Sequence, residues 1–124
     1  MDYSKMSDFE INLLVARIIL NGNIISERER TLTSSVFYEN HQGIKTFDPC
    51  KNPADAWPII AGNEISLISR CANGEWKAQL HLGKDDIFDS YASCWDINPL
   101  KAAMIVFLMM QESQNAKIPS ERDS

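Results

Sequence analysis

The sequence predicts a single small α+β domain whose last helix is buried nearly all round. Three observations carry this. A capping box precedes an apolar run near the N-terminus, an Asn-Gly pair separates two strand-like segments, and Ala102 to Met110 contains no polar side chain. With 124 residues and 44% hydrophobic content, the chain can build one ordinary core but hardly two.

The elements follow in order. Ser7 and Glu10 can each satisfy an orphan amide of the first turn, so a helix is expected from Asp8 to about Leu20. Glu10, Arg17 and Asn21 share one narrow stripe of that helix, and Ile11, Leu13, Leu14, Val15, Ile18, Ile19 and Leu20 spread over the rest. Asn21-Gly22-Asn23 reads as the helix stop, and the alternating charges of Glu27 to Arg30 as a solvated loop. β-Branched and aromatic residues from Leu32 to Tyr38, then Ile44 to Phe47, suggest a hairpin around the polar Glu39 to Gly43 stretch.

Asn52 is a good N-cap, and Pro53 at the next position gives up only an amide without a helical partner. A second helix therefore starts there, shortened or kinked by Pro58. Glu64 to Arg70 is a strand, and Asn73-Gly74 is the preferred pair for a type I′ turn because both residues tolerate positive φ. The returning arm places Trp76, Ala78, Leu80 and Leu82 on one face and Lys77, Gln79 and His81 on the other. Asp85 to Trp95 has no consistent period and reads as an edge strand plus loop.

Asn98-Pro99 repeats the Asn52-Pro53 device and opens the final helix, expected to run to Gln111. Its nine-residue apolar run spans roughly 13.5 Å, under half of a bilayer core of about 30 Å, so it belongs inside protein and not in a membrane. Residues 1–113 form the expected domain. The polar stretch 114–124 lacks the apolar surface to offset its ordering and is expected to be disordered.

Composition narrows the function. Twelve basic against 17 acidic side chains disfavour generic nucleic-acid binding, which draws on Lys and Arg neutralising phosphates. The odd set Cys50, Cys71 and Cys94, without a C-x-x-C pair or a secretory signal, fits a reducing cytoplasm, and no metal site or cofactor is expected. Nucleotide-binding glycine loops, nucleophile elbows and metal-protease spacings are absent, so no catalytic residue is assigned. Asp85, Asp86 and Asp89 read as a solvated turn ahead of a Mg²⁺ site.

Two places remain as candidate binding surfaces. The Phe47 to Ile60 segment, with three prolines, can present Asp48, Asp55 and Trp57 to a ligand; the favoured alternative is that Asp55 caps helical amides and Trp57 packs on the last helix. Lys77, Gln79 and His81, joined by Arg70, can form an anion-binding face with Trp95 or Tyr38 stacking a base, although polar outer strand faces are common. Cys94 reads as packing, since no base or helix N-terminus is evident to activate it.

Three blocks, Met1 to Asn12, Phe47 to Ile60 with its Asn-Pro-Ala-Asp-Ala-Trp-Pro-Ile-Ile string, and Asn98 to Met110, together resemble the NinX family of tailed phages. The resemblance implies an accessory protein made in an infected or lysogenic bacterium, with helices on both faces of an antiparallel sheet of about four strands. It implies no activity and carries over no site residues. The leading expectation is non-enzymatic binding to a host or phage protein, through the acidic surface or the Asp48 to Trp57 loop. The alternatives are a binder of small molecules, such as a sponge for nucleotide-derived immune signals, and, less favoured, a metal-dependent nuclease. A helix this apolar also leaves a homo-oligomer open.

Overall fold

The first helix, α1 (Asp8–Ile19), starts where the capping box sets it: the Ser7 hydroxyl accepts from the Glu10 amide at 3.1 Å, and the Glu10 carboxylate accepts from the Ser7 amide at 2.9 Å. The structure is a computed structural model, and it describes residues 2–20, 24–26, 35–70, 72–85 and 88–123. The helix stop at Asn21-Gly22-Asn23, the Glu27 to Arg30 loop and Cys71 lie outside these residues. Phe9, Ile11, Asn12, Val15 and Ala16 are buried. Ile18 and Ile19 are exposed, so the apolar face is narrower in the last turn than the helical wheel suggests.

Strands β1 (Ile24–Ser26), β2 (Val36–Asn40) and β3 (Gly43–Phe47) form one antiparallel sheet in that order. The expected hairpin is there, turning at His41 and Gln42, with Val36 opposite Phe47 and Asn40 opposite Gly43. Only Val36 and Phe47, at its base, are buried among its two strands.

Helix α2 (Pro53–Gly62) starts at Asn52, whose side chain accepts from the Ala54 amide at 3.0 Å. Pro58 neither ends nor shortens it: the ring lies on the exposed side, where water can reach the carbonyl group left without its amide donor. Ala56, Ile59 and Ile60 face the core.

A second antiparallel sheet has the order β4 (Ser66–Ile68), β5 (Trp76–Asp85), β6 (Phe88–Asp96). Strand β4 is shorter than the Glu64 to Arg70 run anticipated. Asn73 and Gly74 adopt the positive φ their types permit, 64° and 71°, but in a longer connection than a two-residue turn, since Ile68 pairs with Lys77. The larger correction is Asp85 to Trp95. It is an edge strand, as anticipated, but from Phe88 to Asp96 it runs as nine continuous residues with no loop, paired with β5 from Trp76–Asp96 to Asp85–Phe88. Tertiary pairing overrides the irregular pattern here because one face of β6 points to solvent and tolerates aromatics and polar residues alike. Gly83, at φ 134°, sits at the register shift in β5.

Helix α3 (Pro99–Asp123) is the hub. Asn98 caps it through the Leu100 amide at 2.9 Å, and α3 touches β4, β5, β6, α1 and α2. Every residue from Ala102 to Leu108 is buried, as an all-apolar segment demands. The helix does not stop at Gln111. Its backbone continues to Asp123, through the stretch composition marks as a tail and past Pro119, which can add no helical hydrogen bond of its own.

The fold is thus α+β, but its strands divide between two three-stranded sheets where one sheet of about four was anticipated. The β4–β6 sheet packs on α3, while the β1–β3 sheet meets the helices through β2 and α1. Among the described residues no helix is long and apolar enough to cross a membrane.

Candidate functional site

The Phe47 to Ile60 segment turns its carboxylates inward. Asp48 accepts from the Asn12 side-chain amide at 2.7 Å, and Asp55 accepts from the Asp48 backbone amide at 2.9 Å and from the Asn52 side chain at 3.3 Å. Between them Cys50 is held at both backbone groups: its N–H donates to the Asn12 side chain at 3.1 Å, and its C=O accepts from the Asn98 side chain at 2.6 Å. This junction ties α1, the α2 entry and the α3 cap together. Lys101 reinforces it, donating to the Met6 carbonyl at 2.9 Å and pairing with Asp8 at 3.2 Å. The three blocks that carry the family resemblance therefore meet at one architectural knot.

Trp57 departs from the packing expected of it. It is 64% exposed, too open for a side chain buried against α3. Asp48 and Asp55 hold backbone while Trp57 faces solvent, so the segment does not bring its three named residues to one surface.

The outer face of the β4–β5–β6 sheet does gather side chains. Strand alternation puts Ala78, Leu80 and Ala92 inward and turns the intervening residues outward. Three cross-strand rows result: Ile68, Lys77 and Trp95; Ser66, Gln79 and Ser93; and His81 with Tyr91. The Lys77 ammonium lies 5.1 Å from the centre of the Trp95 ring, a cation–π contact. The His81 ring meets Tyr91 edge-on at 5.1 Å, and its Nε2 is 3.0 Å from the Asp89 carboxylate. Trp95 and Tyr91 are each 50% exposed and Ile68 43%.

Lys77, Gln79, His81 and Trp95 thus share one face, as the alternation anticipates. Tyr38 belongs to the other sheet, edge-on to Phe47 at 6.3 Å, and Arg70 lies in the β4–β5 connection at φ 62°. Tyr91, Asp89 and Ile68 are additions that sequence reasoning missed. Reading β6 as an alternating strand would have found the first two, because Asp89, Tyr91, Ser93 and Trp95 keep a strict period of two.

The outer face carries one cation over an aromatic ring and one histidine paired to a carboxylate. Cys94, on the inward side of β6, has its thiol pushed up to about 11 by burial and then by the neighbouring Asp96 carboxylate, so it stays protonated at neutral pH. Burial, with Asp8 adding to it, pushes Cys50 to about 12. Among the described residues no three His, Cys, Asp or Glu side chains converge on a metal position. Of the three aspartates in the β5–β6 region, Asp89 is engaged by His81, and Asp86 lies outside the described residues.

Among the described residues, clefts beside the core include two of modest size. One, about 290 Å³, is lined by Tyr3, Leu14, Arg17, Ile18, Leu108 and Glu112 among others; the second, about 190 Å³, lies between Asn63, Leu80, His81 and the Met110 to Gln114 turn of α3. Neither is lined by Trp57, Tyr38 or Trp95.

Helices packed with two antiparallel sheets, one carrying an exposed aromatic face, define a small α+β domain. The chain belongs to the bacteriophage P22 NinX family, whose sequence model matches residues 2–111. No curated protein and no solved structure matches it.

Proposed function

We propose that this chain is a non-enzymatic phage accessory protein that works in the cytoplasm of the infected or lysogenic host by binding a host or phage protein, and that the contact surface is the outer face of the β4–β5–β6 sheet. The observation that carries the reading is the exposed set Trp95, Tyr91 and Ile68, interleaved with Lys77, Gln79 and His81. Trp and Tyr dominate the energetics of protein interfaces because each offers a large rigid area with a polar tip. The acidic surface steers without specifying, and the Asp48 to Trp57 segment spends its carboxylates on the fold.

The test is native mass spectrometry of the protein purified from infected cells, for the wild type and for a Trp95→Ala/Ile68→Ser variant with unchanged melting. A stoichiometric protein partner held by the wild type and lost by the variant is expected. No stoichiometric partner on the folded wild type, or one that the variant keeps, overturns the reading.

A nucleotide-like small molecule is the second reading, favoured by the Lys77 ammonium beside the Trp95 ring, a pairing suited to stacking a base and meeting its phosphate. It predicts a melting shift with at least one member of a cyclic and linear nucleotide panel, lost in Lys77→Ala; no shift across the panel sinks it.

A further inference from the structure

Strand β6 ends its sheet. Its nine residues pair with β5 on one side, and among the described residues no strand lies on the other. A long, aromatic edge of this kind is a template for another strand unless it is blunted by proline, a bulge or inward charge. The sequence Phe88-Asp-Ser-Tyr-Ala-Ser-Cys-Trp-Asp96 contains no proline, the one register shift in the hairpin lies in β5, and the inward carboxylate, Asp96, stands at the strand's last position, where it accepts from the Asn98 amide.

We infer that β6 pairs antiparallel with β6 of a second copy of this chain about a two-fold axis at Ala92, making a homodimer with one continuous six-stranded sheet. Full-length pairing about that axis sets Phe88 opposite the partner copy's Asp96 position and Trp95 opposite its Asp89 position. Charge then complements across the junction. The Lys77 ammonium already leans over the Trp95 ring toward the free edge, and Asp89 stands at the matching position of the second copy. Each outer row reads Lys77, Trp95, then Asp89 and Lys84 of the other copy, where Asp89 is also held diagonally by its own His81, and the two-fold axis repeats the row in reverse. Like charges are kept apart, because the two Asp89 positions fall toward opposite ends of the paired strands.

The exposed apolar ends fit the same arrangement. Phe88, 71% exposed, and Ile97, 74% exposed, flank β6 at opposite ends, and antiparallel pairing brings the Phe88 end of one copy to the Ile97 end of the other, twice. The pairing is made by the edge backbone with Lys77, Trp95 and Asp89 at its seam, while Ile68, Gln79 and Ser66 stay on the outer face away from it, so it goes beyond the binding reading above and does not depend on it.

The test is the mass in solution of the full chain by light scattering at about 100 µM, well above a micromolar Kd. The expected mass is twice the 14.1 kDa of the chain. Lys77→Glu sets a carboxylate against Asp89 of the other copy and should weaken the dimer about tenfold or more. Lys77→Glu combined with Asp89→Lys exchanges the two charges and should restore it. In the wild type, amides of 88–96 should gain exchange protection as concentration rises, a readout that needs no variant. A monomer at 100 µM, a dimer indifferent to Lys77→Glu, or exchange in β6 independent of concentration overturns the inference.

Discussion

Asn12 is the residue on which the architecture turns. It is a polar side chain 2% exposed on the buried face of α1, and it fills both of its capacities: the amide donates to Asp48 and the carbonyl accepts from the Cys50 N–H. Truncation leaves a buried amide and a part-buried carboxylate without their partner, and each such loss costs about 1–3 kcal/mol. Asn12→Ala should therefore lose about 2–4 kcal/mol of stability, read as a lowered urea midpoint with unchanged slope. A loss below about 0.5 kcal/mol, the range of ordinary surface substitutions, would refute the role. The sequence does hold a trace of this: Asn12 shares the stripe of Val15 and Ala16, where a polar residue needs a partner. The partner was not legible, because Asp48 is 36 positions away and only the folded chain brings the two together. Asp48 and Asp55 look like ligand-facing carboxylates for the same reason, since a loop rich in proline and aspartate reads alike whether its acids point outward or pin the backbone.

At the scale of elements, the local devices and the β2–β3 hairpin were legible, and the full extent of β6 and the division into two sheets were not. The Ser7–Glu10 box and the two Asn-Pro caps act within four residues, and all three helices begin where those devices put them. The apolar run of α3 needs no partner to declare itself buried. Strand β6 is the counterexample: its period of two is masked by Asp and Ser on both faces, and β5 supplies the ladder that makes it a strand. The division into two sheets is likewise a property of pairing. The weight of α3 gives the element-scale prediction. Ile105, 3% exposed, sits mid-way along the buried run, and an unpaired carboxylate there meets a core with no cation to receive it. Ile105→Asp should abolish cooperative unfolding, whereas Ile105→Val should cost only about 0.5–1.5 kcal/mol. A soluble Ile105→Asp protein with a sharp thermal transition would show that α3 is not the centre of the core.

Across the whole molecule, the first turn is joined to α3 by a hydrogen bond whose proton chemistry makes it measurable. Tyr3, buried in the 3₁₀ turn Tyr3–Lys5, donates its hydroxyl to Glu112 on the exposed flank of α3. Burial, then the hydrogen bond to that carboxylate, pushes the Tyr3 hydroxyl up from 10.0 to about 12, and the same hydrogen bond holds the Glu112 carboxyl below its ordinary value of 4.5. The two shifts act at opposite ends of the pH scale. A raised tyrosine value means that folding favours the neutral phenol, so its contribution is complete below pH 10.0 and fades as pH climbs toward about 12. A lowered carboxyl value means that folding favours the carboxylate, so that contribution is complete above 4.5 and fades as pH falls through the folded value. Tyr3→Phe removes the hydroxyl and keeps the ring in the core. It should cost about 1 kcal/mol at neutral pH, a modest figure because Glu112 is solvent-exposed and screened. The deficit should hold level from about pH 5 to pH 10 and narrow on both sides, since outside that window the wild type loses what the variant lacks. Paired thermal melts of the two proteins across pH measure it directly. A deficit near zero from pH 3 to pH 11 would mean that Tyr3 stabilises the fold by its ring alone, and a constant non-zero deficit would mean that its hydroxyl acts without the proton-linked contact to Glu112.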